Sequence, residues 1–164
     1  MEIREICDFD DIMEISDIYV QSWKHAYRHI IPQDYLDMIK KEQWCHSLAS
    51  QGRHSLVLIE HDKIIGTSSY GPSRYQPLKE AGEIYSIYLL PQYCYHGYGC
   101  YLLNGAIDRL KNNGHSQIFL WVLEGNQSAR HFYKKNGFHE NGLVIEKNIG
   151  GKILTEICYI QNIV

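Results

Sequence analysis

The stretch PQYCYHGYGCYLL, residues Pro91 to Leu103, decides how this chain is read. It follows an Ile- and Tyr-rich run, Glu83–Leu90, that reads as a strand ended by Pro91. It precedes Leu103, Ala106 and Leu110, whose steps of three and four mark the inner face of a helix. Gly97 and Gly99 therefore stand at a strand-to-helix junction, and the helix is predicted to begin near one of them. A glycine lets backbone N–H groups come close to a ligand with no Cβ in the way. A helix N-terminus adds unpaired N–H donors and the positive end of its dipole. Together these describe an anion site, most naturally for a phosphate or pyrophosphate. On these residues alone, tight packing at the junction explains the two glycines equally well. A dinucleotide fingerprint needs a third glycine, and position 102 is Leu. It also needs an acid about 20 residues on; the nearest, Glu124, lies beyond the next strand, so that reading is set aside.

Outward from the junction, Glu2–Cys7 alternates as a first strand, and Asp8 is the expected N-cap of a helix. Ile12, Ile15, Tyr19, Trp23 and Ala26 form one face of that helix, Pro32 breaks it, and Gln33–Ser50 reads as a second helical stretch. Leu56–Glu60 and Ile64–Tyr70 form a hairpin across His61-Asp62-Lys63, and Pro72 to Gly82 is a loop. Past the glycine helix, Asn113-Gly114 is a stop signal, and Gln117–Leu123 is a strand. Asn126 caps a short helix ending at Asn136-Gly137, and Phe138–Glu146 pairs with Lys152–Ile160 across Asn148–Gly151. The expected fold class is α/β (α+β): a mixed, mostly antiparallel sheet of six to seven strands. A central β-α-β unit and about four helices complete it, in one domain over residues 1–164.

Composition excludes several functions. At 45% hydrophobic and 21% charged, the chain fits an ordinary globular protein with its own core. No run of about 18 apolar residues is present, so no membrane partner is expected. The acidic start MEIREICDFDD does not resemble a signal peptide. A formal charge of −3 without a basic block gives no support for nucleic acid. The cysteines, Cys7, Cys45, Cys94, Cys100 and Cys158, are odd in number and form no CxxC, which points to a reducing cytoplasm. Nine histidines are scattered with no HExxH, so no metal is expected. Exposed edges at the last hairpin leave a homodimer open.

Two segments together resemble a known family. EIYSIYLLPQYCYHGYGCYLL is similar to motif A of the GNAT superfamily of acyl-CoA-dependent N-acyltransferases, a strand followed by Q/R-x-x-G-x-G/A and a helix. LWVLEGNQSARHFYKKNGF, Leu120 to Phe138, resembles the family's motif B. Asn126, Ala129, Phe132, Tyr133, Lys134, Gly137 and Phe138 all fall in place. The order of elements agrees over nearly the whole chain. One position departs: Cys94 stands where the family carries Gln or Arg. Backbone N–H groups supply most of the grip, so weakened or rearranged cofactor binding is expected rather than loss.

The resemblance implies transfer of an acetyl group from acetyl-CoA to a primary amine of a small molecule or peptide. It places the pyrophosphate on the loop Tyr95, His96, Gly97, Tyr98, Gly99 and Cys100. It lays the pantetheine arm along Ile87, Tyr88 and Leu89, with Asn126 and Lys134 (or its neighbour Lys135) as further cofactor contacts. Tyr133 matches the family's general acid; a phenol with a pKa of about 10 can protonate a departing thiolate of about 8.5. Glu83 is the base candidate, because a glutamate at that offset serves the histone-acetylating branch. Strict alternation would put Glu83, Tyr85, Ile87 and Leu89 on one face, beside the cleft. Trp23, Tyr27 and Tyr85, with Tyr35 and Trp44 nearby, would shape the acceptor pocket. His25 and His29, four apart on a helix, form an idle pair or an alternative base. The second reading, from a different class, is a CoA-binding regulatory or sensor domain without turnover, which Cys94 favours.

Overall fold

The computed structural model describes residues 1–163. Its centre is one seven-stranded sheet in the order β1-β2-β3-β4-β5-β7-β6. In chain order the strands are β1 (Glu2–Glu5), β2 (His54–Glu60), β3 (Lys63–Pro72), β4 (Gly82–Leu89), β5 (Gln117–Leu123), β6 (His139–Ile149) and β7 (Lys152–Asn162). Five α-helices accompany them: α1 (Ile12–Ala26), α2 (Gln33–Met38), α3 (Cys45–Leu48), α4 (Tyr98–Asn112) and α5 (Gln127–Lys135). β4 and β5 pair in parallel across α4, and the remaining described pairs are antiparallel. This is the expected mixed sheet with a central β-α-β unit, carrying one helix more than expected.

Alternation along the strands sorts the core into two layers. Leu56, Leu58 and Ile65 point to one face, where Leu102, Leu103, Ala106 and Leu110 of α4 cover them. Val57 and Ile64 point to the other, where Ile15, Ile18 and Tyr19 of α1 cover them. Gly105 lets α4 pack closely on the sheet: a Cβ there would lie 2.5 Å from the tip of the Ile3 side chain, which would have to move aside. The β2–β3 turn carries positive φ at His61 (48°) and Asp62 (59°), the hand that a two-residue hairpin turn needs.

Two local expectations are corrected. Asp11, not Asp8, caps α1, accepting from the Met13 N–H at 2.8 Å. Asp8 is displaced from that role because β1 already ends at Glu5, and the turn after it is pinned by Asp10, which receives Arg4 at 2.7 Å and the Cys7 N–H at 2.8 Å. The Gln33–Ser50 stretch is not one helix. Ile39 (ψ 123°) and Lys40 (ψ 160°) are extended and separate α2 from a 3₁₀ turn over Lys41–Trp44. Leu36 and Ile39 both pack into a cluster with Val20, Leu123 and Leu154.

Candidate active site

The site begins where the sheet comes apart. β4 and β5 are paired only at Gly82–Ile118 and Glu83–Phe119. Beyond Glu83 the two strands diverge. A β-bulge marks the place: Ser69 faces Ser86 and Tyr70 faces Ile84, so Tyr85 is an extra residue on β4. A bulge bends its strand and increases local twist, which carries β4 away from β5. It also resets the alternation. Ile84 and Ile87 both join the α4-side core, while the Ser86 hydroxyl and Tyr88 meet α1 on the opposite face. The expectation that Glu83, Tyr85, Ile87 and Leu89 share one face is thereby corrected.

The divergence leaves an open strand edge. Leu90 donates to Ile65. Alternation along the ladder then turns the N–H and C=O of Tyr88 toward β3, and those of Ile87 and Leu89 toward the opening. The Leu89 carbonyl is taken by Ser22 of α1 at 2.5 Å. The Ile87 N–H and C=O and the Leu89 N–H remain for an extended, amide-bearing chain.

The glycine loop closes the end of this edge. Gly97 caps α4 with φ +85°, the left-handed region that favours glycine. Tyr95 also has positive φ, 65°. Among the described residues, the N–H groups of Tyr95 through Gly99 donate to no other group, and the cap carries no side-chain bond. Five successive free donors at the start of a 15-residue helix form an anion cradle that suits a diphosphate. Gly99 has a different reason: a Cβ there would lie 3.3 Å from the Phe132 ring, so its smallness lets α5 pack against α4.

Between the two strands lies a cleft of about 1260 Å³ that reaches both faces of the sheet. Tyr133 enters it from α5, its ring 5.1 Å from Phe132 and 5.9 Å from Phe138. Among the described residues its hydroxyl makes no hydrogen bond. Burial, with the nearby Tyr88 phenol, pushes Tyr133 well above the usual tyrosine range, so it stays protonated. From the α1 side come Trp23 and Tyr27, edge-on at 5.1 Å. Trp23 Nε1 donates to the Tyr88 hydroxyl at 2.9 Å. Burial raises Tyr27 to about 12 and Tyr88 well above its usual value. Between α1 and Tyr133 the cleft is thus walled by neutral phenols and indoles, which offer proton donors.

Of the residues expected here, Tyr133, Ile87, Tyr88, Leu89, Tyr95, Gly97, Gly99, Cys100, Asn126, Trp23, Tyr27 and Tyr85 do line the cleft. Asn126 also caps α5, accepting from Ala129 N–H at 3.2 Å. His96 and Tyr98 contribute only backbone. His96 Nδ1 lies 2.7 Å from the Cys94 carbonyl, and the Tyr98 hydroxyl donates to Glu60 at 2.5 Å. Lys134 turns away to Glu140 at 2.9 Å, and it is Lys135 that lines the cleft. Glu83 sits in the closed part of the sheet, 2% exposed, and accepts from Arg74 N–H at 2.8 Å and Nη2 at 2.7 Å. Its carboxylate does not line the cleft.

Sequence reasoning missed Arg53, Arg74 and Glu156. Glu156, on β7, lines the cleft and pairs with Lys147 at 2.8 Å. Its place in an alternating strand gave a signal only once β7 was known to flank β5. Arg53 and Arg74 come from turns, where no periodicity points.

The family model for Acetyltransferase (GNAT) matches residues 12–138. The chain is 33% identical over 128 residues to the uncharacterized N-acetyltransferase YuaI of Bacillus subtilis, covering 77% of this chain and 73% of that one. It is 32% identical over 136 residues to the [ribosomal protein bS18]-alanine N-acetyltransferase of Haemophilus influenzae, covering 83% and 78%. The PaiA N-acetyltransferase of Thermoplasma acidophilum, solved with coenzyme A, has the same fold at TM-score 0.74 and 20% identity, over 99% of both chains.

Proposed function

Because the chain belongs to the acetyltransferase (GNAT) family, we propose that it transfers an acetyl group from acetyl-CoA to a primary amine, both substrates being held at once. The observation that carries this is the row of five free N–H groups, Tyr95 to Gly99, continuous with the open edge of Ile87 and Leu89. The loop receives the pyrophosphate and the edge receives the pantetheine amides as an added strand would. Lys135 supplies a cation for the outer phosphate, in place of Lys134. The thioester brings the transferable acyl carbon to the opening between β4 and β5.

The Ile87 N–H donates to the thioester oxygen as that oxygen gains charge, a backbone donor fixed before the reaction begins. Tyr133 gives its proton to the departing sulfur, and its raised pKa keeps that proton available. Glu156 faces the incoming ammonium, and water at that carboxylate takes up the proton it sheds. Glu83 acts on Arg74 rather than on the amine. Trp23, Tyr27 and Tyr85 form the walls around the acceptor.

Cys94 favours the alternative of a CoA-binding module without turnover, since a weak thiol donor replaces Gln or Arg. Its side chain, however, points at the Leu90 carbonyl, 3.8 Å away, and takes no part in the row of N–H donors. The five free cysteines suit a reducing cytoplasm. The test is release of free thiol from acetyl-CoA in the presence of a mixture of amines. Amine-dependent thiol release that collapses in Tyr133→Phe supports transfer. Binding of coenzyme A without release by any amine supports the module.

A further inference from the structure

We infer that the amine acceptor also carries a carboxylate, received by Arg53 and Arg74 at the β4 bulge; this rests on the acetyl-transfer reading. Arg53 lines the cleft. Among the described residues its guanidinium pairs with no carboxylate. Its bonds go to neutral hydroxyls: Nη1 to Ser47 at 2.5 Å and Nη2 to Tyr19 at 3.3 Å. Its Nε is buried and has no acceptor at all. The Tyr19 hydroxyl is in turn 2.9 Å from Ser69 and 3.0 Å from Ser86. A partly buried cation set in a layer of hydroxyls, with no counter-charge, is costly unless an anion visits.

A second cation sits beside it. Arg74 and Arg53 lie over the same Tyr85 ring, 4.0 Å and 5.6 Å from its centre. Arg74 is balanced by Glu83, but its side chain is 59% exposed and retains donors. Both guanidinium groups line the cleft beside this ring, so an oxyanion entering there meets two cations. The diphosphate does not serve this purpose. The loop that suits it follows Leu89, and Tyr85 lies four residues earlier on β4, about 13 Å at the rise of a strand. The anion therefore belongs to the acceptor. Glu156, although it pairs with Lys147 at 2.8 Å, is the carboxylate that lines this cleft, and it faces the ammonium. The acceptor class that matches both ends is a small amino carboxylate.

The test offers the full chain two pools with acetyl-CoA and reads products by mass. One pool holds free amino acids, including 4-aminobutyrate and 2,4-diaminobutyrate. The other holds the same compounds as amides, with spermidine added. Acetylation of an acid at least tenfold faster than its amide is expected, and Arg53→Gln should bring that ratio near one while Arg53→Lys restores part of it. The wild-type comparison stands even where the Gln variant is unstable. Equal or faster acetylation of amides, which stand for peptide N-termini, overturns the inference. So does acetylation of spermidine alone, whereas no product in either pool from a protein that binds coenzyme A points to the module without turnover and removes the inference with the transfer reading. Failure to bind coenzyme A would instead remove the transfer reading beneath it.

Discussion

At Tyr133 the demands of an acid and of a core residue meet in one side chain. Its ring packs on Phe132 and Phe138, and among the described residues its hydroxyl, in the cleft, has no hydrogen-bond partner. Tyr133→Phe keeps the packing and removes only the proton. Turnover should fall about 100-fold, the low end of what a positioned acid contributes, with coenzyme A affinity within twofold by titration. Because burial raises this phenol, its protonated form persists as pH rises past its ordinary range. The kcat profile should therefore show no alkaline fall below about pH 10, the usual tyrosine value. Glu83 and Glu156 divide differently. In Glu83→Gln the rising limb of kcat/KM against pH should stay in place, whereas Glu156→Gln should move or abolish it. Movement of that limb in the Glu83 variant would return the base role to Glu83. The residue types were legible in the sequence; the partner of Glu83 was not. Arg74 lies in a turn, and only the folded chain brings it onto the carboxylate.

The elements carry their own tests. A methyl group on Gly97 would meet only open space, so the constraint there is φ +85° alone. Gly97→Ala should cost about 1–2 kcal/mol in urea unfolding, the penalty for a left-handed residue with a Cβ, and Gly97→Asn less. Both should also weaken coenzyme A binding, because the N–H row depends on that turn. Asn126→Ala should cost about 1 kcal/mol through loss of the α5 cap. The glycine junction, β5 and α5 were readable because their signals are local: Pro91, two glycines, a β-branched run, an Asn cap. The bulge at Tyr85 was not. It is set by pairing with β3, and period-two alternation cannot register an extra residue. That single residue decides which side chains of β4 meet the cleft. The break at Ile39–Lys40 was hidden because no Pro or Gly marks it in the sequence.

For the whole molecule, β6 is fastened to its neighbours by charge as well as by pairing. Glu140 accepts from Lys134, from the Tyr159 hydroxyl at 2.8 Å and from Arg130 at 3.2 Å, and these hold its carboxyl near 2. A depressed carboxyl pKa gives stability that is present above the ordinary value of about 4.3 and is lost as pH falls toward 2. Thermal melts should accordingly show a smaller drop in Tm between pH 6 and pH 3 for Glu140→Gln than for wild type. The overall order of strands and helices was legible because two dense motifs fix the middle of the chain. The acceptor end was not, since its charged residues are gathered from turns and from β7. All the functional readings depend on one feature, the free N–H row beside an opened strand edge. Isothermal titration with acetyl-CoA, coenzyme A and ATP tests it most directly. Micromolar binding of both CoA species and none of ATP is the expected result, despite Cys94. Absence of binding by either CoA species would contradict it, and would leave the two glycines as a tight turn and nothing more.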